Sequence, residues 1–185
     1  MLEVTTKPPV NGIDLQALDE VVAAIGQDPG QAIVGFRVKT QWAGQTRSES
    51  TVEGYDIGGK HVARRFTITA DEPYELLGTN SAPNPQELLM SALNACMMVG
   101  YVAQAAVRGI RLDTCTIETD GELDLRGFLG LDDKVPAGYR TINYTVTLNG
   151  DGTREQFEEI HQAVMATSPN YFNLAQPVQM CGRLA

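Results

Sequence analysis

Thiols carry the most nucleophilic chemistry in this sequence, and Cys96 is the one held in a long apolar run. It sits in Ala95-Cys96-Met97, at the centre of a run from Leu88 to Val107 that holds no charged residue. A thiol attacks as its thiolate, so a working cysteine needs a cation or comparable stabilisation beside it. Within helical reach the neighbours are Ala92, Leu93, Val99 and Gly100, none of which is charged. A cation must therefore come from another segment or another subunit. The same position also suits an inert cysteine that fills a core as a small hydrophobe.

The remaining chemistry is sparse. The chain has three cysteines, and Cys115 and Cys181 form no CxxC pair with Cys96, so neither a disulfide framework nor a zinc site is expected. His61 and His161 are the two histidines and match no HxxxH or HExxH pattern, so no metal is expected. No GxGxxG, GxxxxGK[ST] or GxSxG occurs, which leaves no basis for a nucleotide cofactor or a serine elbow. Trp42, Met90, Met97 and Met98 are expected to line apolar surfaces as core packing, with a pocket for an apolar peroxide tail as the alternative.

The totals narrow the setting. With 185 residues, 43% of them hydrophobic, the chain can bury a substantial core. A net charge of −9 disfavours nucleic acid and anionic membranes as partners. The start, MLEVTTKPPVNG, has neither a basic region nor an apolar core, so a cytoplasmic protein with reduced thiols is expected. The run around Cys96 is long enough to cross a bilayer. It nevertheless contains Ser91, Asn94, Gly100 and Gln104, and its upstream flank Asn84 to Glu87 has no basic residue, so no membrane association is expected.

The elements that must position Cys96 follow from periodicity. Leu15, Leu18, Val21, Val22 and Ile25 mark an amphipathic helix within an N-terminal extension, residues 1–30. QAIVGFRVKTQWAG reads as a strand with Ile33, Phe36 and Val38 facing inward. Two more strands follow, TRSESTVEGYDIGG and KHVARRFTITAD, turned by Gly58-Gly59. After a turn-rich loop, Asn84 caps a long helix, Pro85 occupies its first position and Glu87 can reach back to the cap amide. Gly109 ends it. Cys115, Ile117 and Thr119 share one face of the next strand, and Ile142, Tyr144, Val146 and Leu148 one face of another, with GFLGLDDKVPAG in the connection between them. Thr153 and Gln156 form a capping box for a second helix with Phe157, Ile160 and Val164 as its stripe. His161 falls beside that stripe, Ser168-Pro169 interrupts the helix, and AQPVQMCGRL reads as a short terminal strand. The order predicts one α+β domain. A helix apolar on every side needs protein all round it, which argues for a second subunit.

GTNSAPNPQELLMSALNACMMVGYVAQAAVRGI and SPNYFNLAQPVQMCGRL together resemble the OsmC/Ohr family of thiol peroxidases. The resemblance implies an OsmC-like domain over residues 31–185: two long central helices enclosed by antiparallel sheet in an intertwined homodimer. It implies that Cys96 attacks a hydroperoxide, that an arginine stabilises the thiolate, and that a glutamate orients the arginine. Carried over by position, the arginine is Arg47 or one of the pair Arg64 and Arg65. The acid position ten residues before the thiol holds Gln86, with Glu87 at nine. The family's resolving cysteine aligns with Ser168, which cannot form a disulfide but suits a helix N-cap. Cys181 and Cys115 are poor substitutes for it.

The leading expectation is a single-cysteine peroxidase for organic hydroperoxides, regenerated by an external thiol such as a dithiol. The alternative is a non-catalytic module of the same fold that binds a small apolar ligand, with Cys96 merely buried.

Overall fold

In a computed structural model, residues 8–184 are described. The chain divides into two compact units, one up to Leu89 and one from Met90 onward.

The first unit opens with helix α1 (Leu15–Gln27). Asp14 caps it by accepting the amides of Gln16 and Ala17 at 3.0 and 3.1 Å. None of its residues is buried, and Val21 and Val22 of its apolar stripe are exposed. A four-stranded antiparallel sheet follows: β1 (Val34–Phe36), β2 (Lys39–Trp42), β3 (Ser48–Ile57) and β4 (Lys60–Ala70). The single strand expected from residues 31–44 is two. β1 pairs with Phe36 opposite Tyr55 and β2 with Lys39 opposite Thr51, leaving Val52 to Gly54 unpaired on that side. The β3–β4 register shifts at the same place, where Arg64 and Arg65 of β4 stand against Glu53 alone, and such a bulge bends a strand and breaks its ladder. Gly58 and Gly59, both at positive φ, make the β3–β4 turn, as the right-handed strand twist favours.

Cross-strand partners share a face. Tyr55 stands opposite both Phe36 and Val62, Val52 opposite Phe66, and Ser50 opposite Ile68. Apolar residues thus pair across the strands on either side of the bulge. Ile33, Phe36 and Val38, expected to point inward, are 70%, 69% and 60% exposed, because no described element of the first unit covers them.

Beyond β4, the chain turns on Asp71, which is buried. Its carboxylate accepts Thr46 Oγ1 (2.8 Å), the Glu72 amide (2.9 Å), the Thr79 amide and hydroxyl (3.0 and 2.6 Å) and the Ser81 amide and hydroxyl (3.1 and 2.9 Å). The Thr79 hydroxyl foremost, then Ser81 and Thr46, hold this carboxyl well below the usual range. This knot fixes the loop that delivers helix α2 (Pro85–Val107).

In the second unit, α2 presents Leu93, Met97, Tyr101 and Ala105 as one buried stripe. They pack with Ile160 and Val164 of helix α4 (Arg154–Thr167). Cys115 and Ile117 of β5 (Leu112–Asp120) and Tyr144, Val146 and Leu148 of β6 (Asn143–Gly150) pack against the same cluster. Full burial of a side chain such as Ile160 contributes about 1.5–3 kcal/mol. The helices approach closely at Gly100, where a Cβ would lie 3.1 Å from the Val164 methyls. α2 ends as its spacing predicts: the Ile110 and Gly109 amides return to Ala105 and Ala106, with Gly109 at φ 70°. Val99 and Val107, on the other faces of α2, stay exposed.

The β5–β6 connection contains one helical turn, α3 (Leu125–Phe128). After α4 comes α5 (Pro169–Ala175). The expected terminal strand does not form: residues 176–184 pair with no strand, and Val178, Met180 and Leu184 are exposed. Pro177 removes one donor from that segment, and no described strand pairs with it.

Candidate thiol site

Cys96 lies on α2 between the buried Leu93 and Met97 and is itself half-buried. Its sulfur meets the junction of α4 and α5. Ser168 is the residue on which one helix ends and the next begins. Its hydroxyl accepts the Tyr171 amide at 3.5 Å and donates to Cys96 Sγ at 3.4 Å. The Asn170 amide points at the same sulfur from 3.5 Å. The Asn170 side chain donates to the Ala92 carbonyl at 2.8 Å, tying α5 to the turn of α2 that precedes the thiol. Two donors thus converge on one sulfur. Both are neutral groups.

The other expected site residues lie in the first unit. Glu87 closes the capping box at the start of α2: Glu87 Oε2 accepts the Asn84 amide at 2.8 Å, and Asn84 Oδ1 accepts the Glu87 amide at 2.8 Å. Arg47 is paired with Glu49 through Nη2 at 2.8 Å, while its Nε is buried without a partner. Arg64 and Arg65 are neighbours at the bulge of β4. The Arg64 guanidinium lies 4.9 Å from the Tyr55 ring centre and 5.3 Å from that of Phe66.

All three cysteines are free. Cys115 packs on the core, and burial pushes its thiol up, away from thiolate chemistry. Cys181 is exposed in the terminal segment.

Sequence reasoning missed several residues that the fold uses. Asn94, a polar residue inside the apolar run, donates to the Ile117 carbonyl at 3.4 Å and accepts the Thr119 hydroxyl at 2.5 Å, which fastens α2 to β5. Tyr101, fully buried, has its hydroxyl 2.6 Å from His161 Nδ1. Burial foremost keeps that phenol well above the usual tyrosine range, so it stays protonated. Polar residues at buried helical positions were the available signal, since such groups need partners. Asn170 carried only a local signal, as part of a Ser-Pro-Asn helix start.

A family model described as OsmC-like protein matches residues 78–180, more than half of the chain and all of the thiol site. The chain belongs to the OsmC-like family. Solved structures share its fold. An OsmC-like protein from Mycoplasma pneumoniae is 16% identical, with a TM-score of 0.61 over 77% of this chain and 88% of its own. A proposed osmotic-stress-induced and detoxification-response protein from Psychrobacter arcticus is 18% identical, with a TM-score of 0.55 over 72% of this chain and 84% of its own. An OsmC-like protein of unknown function from Vibrio cholerae is 15% identical, with a TM-score of 0.52 over 74% and 90%. No curated protein matches the chain. The α+β architecture with antiparallel sheets is that of these OsmC-like structures. In this OsmC-like protein Ser168 touches the thiol.

Proposed function

We propose that this OsmC-like protein reduces organic hydroperoxides through Cys96 and is regenerated by an external dithiol. The observation that carries the reading is the sulfur of Cys96 receiving both the Ser168 hydroxyl and the Asn170 amide. Those donors stabilise the thiolate before attack and the oxygen-bearing sulfur after it. The thiolate attacks one peroxide oxygen, the O–O bond breaks, and the alkoxide leaves and takes a proton as the alcohol. Sulfur is now oxidised to the sulfenic acid. One thiol of the dithiol displaces water to give a mixed disulfide. Its second thiol then attacks that bond, which releases Cys96 and the oxidised dithiol. A single-cysteine cycle fits Ser168, which offers a hydrogen bond where a disulfide partner would stand.

The guanidinium that completes the site is assigned to Arg47 or Arg65, with Glu87 as a further candidate acidic residue, and the working form to a cytoplasmic homodimer. The exposed apolar side chains of the sheet and the exposed terminal segment support a second copy as their cover. α2 is long and apolar enough to cross a membrane by length and composition. Its packed stripe against α4 instead supports a core helix, and the net charge of −9 supports neither a membrane nor a nucleic-acid partner.

The test is turnover of cumene hydroperoxide with dithiothreitol as reductant. The intact protein consumes peroxide and Cys96→Ser does not; equal, negligible rates reject the reading. The neutral character of both donors to the sulfur favours a second reading, a binding module with an idle thiol. Iodoacetamide separates the two: Cys96 alkylated at pH 6.5 faster than free cysteine supports the enzyme, and slower alkylation supports the module.

A further inference from the structure

The second unit contains a cavity of about 270 Å³ that does not include Cys96 among its lining residues. Leu93, Ile142 and Leu174 give it an aliphatic base. Tyr139, Tyr144 and Tyr171 form its wall, with Tyr144 and Tyr171 edge to face at 6.1 Å. Burial pushes the phenols of Tyr139 and Tyr144 up, so both remain protonated at neutral pH. Arg140 completes the lining, and among the described residues it takes part in no hydrogen bond or ion pair. On its other side Arg140 borders a depression lined by Glu122, Asp124 and Arg126. The Asp124 carboxylate is already held by Arg126, at 3.0 and 3.1 Å from Nε. The guanidinium beside the aromatic cavity is thus left unmatched.

We propose that this cavity binds a singly charged carboxylate carried on a one- or two-ring or branched apolar body. The size sits at the lower end of ligand sites, which span roughly 300–1,000 Å³ and combine an apolar lining with a few placed polar groups. The aromatic and aliphatic walls take the body. The planar fork of Arg140 takes the carboxylate with two parallel hydrogen bonds. A net charge of −9 repels multiply charged anions, which selects a carboxylate over a phosphate. The sulfur has no part in the proposal, so it stands apart from the peroxidase reading and can fail separately from it.

The experiment is calorimetric titration of the full chain with 2-naphthoate and with its neutral counterpart 2-naphthamide. The intact protein binds naphthoate at least about tenfold more tightly than naphthamide, the preference a bidentate charged contact supplies. Arg140→Gln, at an exposed position, removes the preference while its melting temperature stays that of the intact protein, and Arg140→Lys retains part of it. Cys96→Ser leaves binding unchanged. The proposal is overturned if the intact protein does not bind naphthoate, or if Arg140→Gln keeps the full preference.

Discussion

Ser168 and Asp71 show how much single side chains decide in this protein. Ser168 Oγ stands 3.4 Å from Cys96 Sγ, so a cysteine introduced there lies close to bonding range of the thiol. Ser168→Cys is expected to form a disulfide between Cys96 and the introduced thiol under air, read as a fall in titratable thiols in unfolded, unreduced protein relative to the same variant after reduction. Ser168→Ala removes one donor to the thiolate and is expected to slow peroxide consumption about tenfold, the rate equivalent of one charge-assisted hydrogen bond. Asp71 makes a pH-dependent prediction. Its carboxyl is held below its ordinary range in the folded chain, so its stabilisation is complete above the unfolded value and is lost as pH falls through the folded one. Asp71→Asn should therefore lower the melting temperature at pH 7 and lower it progressively less toward pH 3. A gap that widens on acidification contradicts the assignment.

At the scale of elements, α2 and α4 hold the thiol in place, and their junction is the sensitive point. Ile160→Ala empties a fully buried position between them and should cost about 2–5 kcal/mol in denaturant unfolding. Glu87→Gln keeps a side chain that completes a capping box, whereas Glu87→Ala should lose about 0.5–1 kcal/mol. These elements were largely legible in the sequence because their signals are local. Asn84, Pro85 and Glu87 announced the start of α2, Thr153 and Gln156 that of α4, and Ser168 the cap of α5, each through a side chain that satisfies its own helix. The alternation of Ile142, Tyr144, Val146 and Leu148 likewise marked the buried face of β6. The approach of Ser168 to Cys96 joins residues 72 positions apart, and no local pattern encodes it beyond the family resemblance. The split of β1 from β2 coincides with a bulge two strands away, in β4, and the terminal segment pairs with no described strand. Apolar content could report neither.

For the whole molecule, the exposed apolar surface is the feature that most needs a function. Phe36, Val62, Phe66 and Ile68 are exposed on the sheet of the first unit, and Met180 is 88% exposed near the end of the second. Apolar patches of this kind mark interaction surfaces. Sedimentation of the intact chain is expected to give a dimer, and Phe66→Asp to shift it toward monomer; an unshifted monomeric mass for both removes the second copy from the account. Sequence alone suggested the dimer from the all-apolar helix. The exposure of Ile33, Phe36 and Val38, which the sequence marked as inward, strengthens that argument from another element. The central claim is that Cys96 is a redox thiol, and trapping its oxidised form tests it most directly. After one equivalent of cumene hydroperoxide, dimedone followed by peptide mass spectrometry is predicted to label Cys96 and to leave Cys115 unlabelled. An unmodified Cys96, or label confined to the exposed Cys181, contradicts the account.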